Sequence, residues 1–160
     1  MASWREVEDA APELAAKVQA RFDASGLGYL ATLRRDGSPR ISGQETLFWD
    51  GELWLGMMDQ SRKQLDIERD PRIAIHAANA DKNVADGDGR VSGRAVRVTD
   101  GETFARYRSA FESTTGQEPP QEFPLYRVDV GEVMHLRPVV DHLLIEWWTP
   151  TKGAQSVKRY

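Results

Sequence analysis

The sequence predicts a mainly β domain with short helices, its antiparallel strands forming a closed or nearly closed barrel. Three observations carry that expectation. At least six strand-like runs succeed one another, each bounded by glycine, proline or acidic turn residues. One pair is joined by Asp50-Gly51, the dipeptide that best suits a tight type I′ hairpin turn, which needs positive φ at both central positions. The helical stretches between runs are short, and closing the sheet hides edges that would otherwise pair between molecules. An open α+β sandwich built from the same elements is the alternative.

Taken in order, the first helix starts near Pro12, a residue favoured in an opening turn, with Leu14, Val18 and Phe22 making one apolar face. Gly26 supplies its stop. Three strands follow over Leu27–Leu33, Arg40–Trp49 and Glu52–Met58, the first two separated by Arg35-Asp36-Gly37-Ser38. A helix over Ser61–Arg69 ends before Asp70-Pro71, and Arg72–Ala78 is the next strand. Residues 79–89 form a polar loop before a strand over Arg90–Val98. Asp100 can cap a helix from about Gly101 to Ser113 bearing Phe104, Tyr107 and Phe111. Residues 114–123 hold Pro119-Pro120, which no strand interior accepts, so they form a loop. Tyr126–Leu136 and His142–Trp148 are the closing strands, and Thr149–Tyr160 is a polar tail.

Bulk properties limit the function. The 160 residues fit one domain, residues 1–160 forming a single unit. A net charge of −4 argues against nucleic-acid binding, and the lack of cysteine excludes disulfides, thiolate catalysis and cysteine-based zinc sites. The first residues are charged where a signal peptide is apolar, and no apolar run is long enough to span a membrane, so the expectation is a soluble, cytoplasmic protein.

Little in the sequence points to acid, base or nucleophilic catalysis. His76, His135 and His142 fall in no metal-ligand spacing, although His135 and His142 could meet across a hairpin. Gly87-Asp88-Gly89 lacks the strand, glycine loop and helix order of a dinucleotide fingerprint. Trp147 and Trp148 are adjacent, so in a strand one faces the core and the other a pocket or a subunit interface. Ser61-Arg62-Lys63 is the strongest signal. A helix start carries unpaired amides and the positive end of the dipole, and a hydroxyl with two cations there suits a phosphate. Arg40, at the start of an earlier strand, could add charge.

The segment Tyr29-Leu-Ala-Thr-Leu-Arg-Arg-Asp-Gly-Ser-Pro-Arg, then Leu-Trp-Leu-Gly-Met-Met-Asp-Gln-Ser-Arg-Lys-Gln-Leu and Asp70-Pro-Arg-Ile-Ala resembles the pyridoxamine 5′-phosphate oxidase-like family of FMN-binding split β-barrels. The likeness is strong over residues 27–78 and continues through Gly89-Arg-Val-Ser-Gly-Arg-Ala-Val-Arg-Val. It implies a split barrel, a homodimer and two flavin sites at the subunit interface. By position it implies that Ser61, Arg62 and Lys63 hold the FMN phosphate, that Met57 and Met58 border the ring, and that Arg40 adds a cation. Trp147 is matched as a further cofactor contact, in the manner of a tryptophan followed by a distant basic residue. Two departures stand out. Glu45 occupies a place where the family has a lysine, so an anion either faces the cofactor or turns away. The Arg-Leu-His-x-Arg segment that grips the substrate phosphate in the true oxidase is absent.

The resemblance therefore implies an FMN-dependent oxidoreductase acting on a small molecule other than pyridoxamine phosphate. A reductase using the deazaflavin coenzyme F-420 is the close alternative. A flavin-binding or stress-related protein without turnover is the reading from a different class.

Overall fold

The computed structural model describes residues 1–160. The chain opens with a helix earlier than the sequence reading placed one. In α1 (Trp4–Ala10), the Ser3 hydroxyl accepts from the Glu6 amide at 3.2 Å while the Glu6 carboxylate accepts from the Ser3 amide at 2.8 Å. That reciprocal cap satisfies two otherwise orphaned donors and supports a helix too short for periodicity to reveal. α2 (Pro12–Asp23) begins at Pro12 and buries Leu14, Val18 and Phe22, as its spacing predicts.

The expected strand over residues 40–49 is two strands. β1 (Leu27–Leu33) pairs with β2 (Pro39–Glu45), whereas β3 (Leu47–Trp49) pairs with β4 (Glu52–Gly56). Between β2 and β3, the Thr46 amide donates to the Gly26 carbonyl at 3.0 Å, and the chain changes partners there. Asp50 and Gly51 have φ of 51° and 74°, so the turn has the positive φ pair that the sequence predicted.

Next come α3 (Arg62–Arg69), β5 (Arg72–Ala77), β6 (Asp88–Arg97) and α4 (Gly101–Thr115). Asp100 caps α4 through the amides of Glu102 and Thr103, and Gly116 ends it in the left-handed region at φ 71°. β7 (Leu125–Val139) and β8 (His142–Thr149) close the domain, with β9 (Gly153–Arg159) added at the edge. β9 replaces the expected polar tail. It has one strand neighbour and mostly exposed side chains, so it carries no apolar alternation to mark it.

The nine strands form one antiparallel sheet in the order β2-β1-β5-β6-β7-β4-β3, with β8 and β9 branching from β7. β7 can branch because its first residues pair with β4 and its last residues with β8. The sheet bends at a bulge between Ser92 and Gly93, where a Cβ on Gly93 would stand 2.0 Å from the Asp129 carbonyl oxygen. Curvature brings β2 back beside β4, but no ladder joins them. Instead the buried Gln44 amide on β2 donates to the carbonyls of Gly56 and Glu45, each at 2.8 Å. The result is a split barrel and not an open sandwich.

The main core fills the barrel with Trp4, Phe22, Leu30, Leu55, Ile75 and Val128 among its members. A smaller aromatic cluster of Leu47, Trp54, Tyr107 and Leu125 lies under α4. Trp148 is 4% exposed in the main core, while Trp147 points to the opposite face of β8, as adjacent strand residues must. No helix is long and apolar enough to cross a membrane.

Candidate cofactor site

The head of α3 lies at the exit of β4. Gln60, at φ 59°, turns the chain, and Ser61 then takes the extended conformation of an N-cap, with φ −64° and ψ 151°. Its side chain makes no cap hydrogen bond, and its Oγ is buried without any partner. The first-turn amides of Arg62, Lys63 and Gln64 find no acceptor within the protein. Unpaired donors and the positive helix end thus converge on one point. At its other end α3 is fastened to the barrel by Glu68, which accepts from Arg97 Nη1 at 2.9 Å and from the Tyr126 hydroxyl.

Arg62 and Lys63 serve two adjoining cavities. On one side, Arg62 joins Arg34, Arg35, Arg40 and Arg69 around a cavity of about 470 Å³, whose acidic members are Asp36 and Asp66. Asp66 is buried and accepts from Arg40 Nε at 2.6 Å, Thr32 Oγ1 at 2.8 Å and Arg69 Nη2 at 3.2 Å. Burial pushes this carboxyl up, but the hydrogen bonds from Arg40, Thr32 and Arg69 outweigh it and hold the group below its ordinary value. Because Asp66 takes the Arg40 Nε, the outer guanidinium nitrogens of Arg40 stay free to fork onto an anion. Arg62 has no ion-pair partner.

On the other side, Lys63 Nζ donates to the Gly43 carbonyl at 2.7 Å. Burial lowers its pKa, with Glu45 opposing the shift. Lys63 borders a groove of about 340 Å³ along the split between β2 and β4, walled by Gly28, Gly43, Gly56, Gln44 and Met58. A Cβ on Gly43 would meet nothing within 4 Å, so this wall is bare backbone facing open space. Of the two methionines, Met57 is 4% exposed and packs into the main core while still bordering the groove, whereas Met58 is 78% exposed.

The structure therefore brings Arg40 and Arg62 to one cavity and Met57, Met58 and Lys63 to the next, with Ser61 at the head of the helix between them. It does not bring Trp147 to them. That residue sits on β8, across β1, β5, β6 and β7 from β2, with its indole N–H on Gln155 Oε1 at 3.1 Å. Sequence reasoning missed Arg34, Arg35, Arg69 and Asp66. Arg34-Arg35 was visible beside an Asp-Gly turn, but only the β1–β2 hairpin shows that the turn overhangs α3.

Comparison with known proteins then decides the family. The family model described as Pyridoxamine 5′-phosphate oxidase matches residues 14–137, most of the barrel and the whole α3 region. The chain belongs to this family. No curated protein matches its sequence. Among solved structures, the pyridoxamine 5′-phosphate oxidase-family chain is similar to the conserved hypothetical protein Rv2991 of Mycobacterium tuberculosis, at 25% identity and a TM-score of 0.60, over 72% of this chain and 79% of that one. A haem-binding protein of Mycobacterium smegmatis is 23% identical with a TM-score of 0.58, over 89% of this chain but 57% of the other. PhzG of Burkholderia lata, solved with tetrahydrophenazine-1-carboxylic acid, shares the fold at 14% identity and a TM-score of 0.67, over 97% and 92% of the two chains. The family fold thus carries several ligand chemistries, and the residues of this chain must choose among them.

Proposed function

We propose that this chain is an oxidoreductase working through a flavin, with FMN as the cofactor, and that it acts in the cytoplasm as a homodimer. The observation that carries the reading is the Ser61 hydroxyl, buried and unpartnered at the head of α3 beside the free amides of the first turn, with Arg62 and Lys63 next along the chain. A buried polar atom without a partner costs about 1–3 kcal/mol, and a phosphate would relieve that cost. Ser61, Arg62, Lys63 and Arg40 would hold the phosphate, and the bare-backbone groove bordered by Met57, Met58 and Gln44 would take the ring. When bound, the flavin supplies the hydride or electron transfer, which accounts for a site without a nucleophile or an acid–base pair. The substrate is a small molecule other than pyridoxamine phosphate, because the Arg-Leu-His-x-Arg segment is missing.

The dimer rests on the outer sheet face. Tyr29, His76, Arg90, Met134 and Trp147 are paired in register across five strands, so they share that face. Tyr29 at 53% and the neighbouring Ile41 at 72% are exposed there, and a partner subunit on this face would cover them. In a dimer Trp147 would reach a cofactor across the subunit boundary, as it does not within one chain.

A second reading, coenzyme F-420 in the same groove, is favoured by the surplus of arginines. Arg34, Arg35 and Arg69 exceed what one phosphate requires.

The test is direct. The purified protein is examined for visible absorbance, the mass of any ligand released on denaturation is measured, and the stripped protein is titrated with FMN, F-420 and haemin. FMN released or bound at micromolar concentration supports the first reading, and F-420 alone supports the second. Tight haemin binding with neither flavin overturns both. Bound flavin that nicotinamide nucleotides do not reduce and no substrate reoxidises would mark a flavin-binding protein without turnover. Sedimentation at micromolar concentration should show a dimer, and a monomer would overturn that part.

A further inference from the structure

Beside the groove, sharing Glu45, Gly56, Met57 and Met58 with it, lies a second cavity of about 450 Å³. That volume is within the range of small-molecule sites. Its lining has a one-sided chemistry. Glu45, Asp59, Glu118 and Glu122 contribute carboxylates, and no lysine, arginine or histidine lines it. Behind the wall, Arg108 stands 3.9 Å from Glu118 but donates to the carbonyls of Pro119 and Pro120, and Lys63 lies on the groove side and not in this lining. Asp59 and Glu122 have no cationic partner at all.

The apolar part of the lining is aromatic. Tyr107 lies with its ring centroid 6.0 Å from those of both Phe111 and Phe123. Aromatic faces attract cations through their quadrupole, so carboxylates and rings here select the same charge. Tyr107 adds a second and independent sign of a ligand. It is 3% exposed, its hydroxyl has no hydrogen-bond partner, and that oxygen lies 3.6 Å from where a Gly56 Cβ would stand, at the wall common to both cavities. Burial, reinforced by Glu45, raises its pKa, so the phenol keeps its proton and remains a donor.

We propose that this cavity is the substrate pocket and that it takes a small aromatic molecule carrying a positive charge, an amine or a cationic N-heterocycle. The Tyr107 hydroxyl would donate to an acceptor on the molecule while the carboxylates and rings surround its charge. Glu45 then has a purpose: it faces the pocket and stands at its boundary with the groove. That the occupant is a substrate rests on the flavin reading of the groove, whereas the charge preference of the cavity does not.

Three probes of one shape separate the possibilities: 1-naphthylmethylamine, 1-naphthylmethanol and 1-naphthoate, titrated into the whole protein with and without FMN. The fluorescence of Trp54 reports the binding, since its ring centroid is 5.7 Å from that of Tyr107. The amine should bind about tenfold tighter than the alcohol, with the naphthoate weakest, and the preference should shrink in salt. The double variant Asp59→Asn with Glu122→Gln should lower the preference for the amine over the alcohol, and Tyr107→Phe should weaken the alcohol and the naphthoate, which carry an acceptor for its hydroxyl, more than the ammonium, which carries none. Equal binding of the three probes, or a preference untouched in the carboxylate variant, overturns the proposal. If FMN binds but the amine shows no preference, the pocket proposal falls alone. If the amine binds with this mutational pattern but no flavin does, the cation pocket stands and the flavin reading falls.

Discussion

Gln44 and Gly56 hold the barrel together where no strand ladder does: the Gln44 side-chain amide, itself buried on β2, donates to the Gly56 carbonyl on β4 at 2.8 Å. The same amide reaches the Glu45 carbonyl, so one side chain satisfies two acceptors at the edge of the candidate groove. Gln44→Leu should therefore lower stability by about 2 kcal/mol, the cost of leaving buried acceptors unmet, and should weaken cofactor binding because the groove widens. Urea denaturation and FMN titration of the variant check both effects. Unchanged stability would show that the seam is closed by other contacts.

Ser61 separates stability from function. Its hydroxyl is buried and unpartnered and does not cap α3, so Ser61→Ala removes an unsatisfied group and should leave the midpoint of unfolding unchanged or raise it. The same change should weaken FMN by about tenfold, one lost hydrogen bond to a charged oxygen. Paired melting curves and titrations measure the split. A stability loss without an affinity loss would mean that the hydroxyl serves the fold.

Arg62 and Lys63 are the charged half of the proposed clamp, one on each side of the helix head. Arg62→Ala with Lys63→Ala should cost about 3–6 kcal/mol of cofactor binding, two charge-assisted hydrogen bonds at about 1.5–3 kcal/mol each. Titration of FMN, or of F-420 if that is the ligand, reads the loss. Retained affinity would place the phosphate elsewhere.

Asp66 organises the basic cavity from beneath. Asp66→Asn breaks a buried centre that accepts from Arg40, Thr32 and Arg69, and should destabilise the fold by about 2–4 kcal/mol. The folded pKa of Asp66 is lowered, so its contribution is present above the unfolded value near pH 4 and is lost as pH falls through the folded value. The variant should show a shallower loss of stability below about pH 4 than the parent chain in acid titrations followed by circular dichroism.

His135 sets a second, milder window. It is 2% exposed beside Gly87, and burial lowers its pKa. The unfolded chain then binds the extra proton first as pH drops below about 6.5, so stability is full above that value and falls towards the lower folded value. His135→Gln should flatten the slope between about pH 5 and pH 7. Urea midpoints measured across that range provide the check, and an unchanged slope would assign it to another group.

Much of the architecture was legible along the chain. Pro12, Asp50-Gly51, Asp70-Pro71 and Asp100 each mark a boundary that the structure keeps, because each acts on its own backbone and immediate neighbours. Elements without a local mark were missed. α1 depends on a two-residue cap, and β9 is an edge strand whose polar residues match any solvated tail. The break at Thr46 escaped as well, since an unbroken run gives no sign that its two halves serve different partners.

For the candidate site, the sequence by itself determined that a hydroxyl and two cations open a helix after a strand, and hence that an anion could sit there. Only the tertiary structure decided that Ser61 Oγ is buried without a partner, that Arg62 and Lys63 face different cavities, and that Asp66 holds Arg40 beside Arg62. The physical reason is range. Caps, turns and helix ends act over a few residues and are written locally, whereas burial, charge pairing and the split between β2 and β4 arise where distant segments meet.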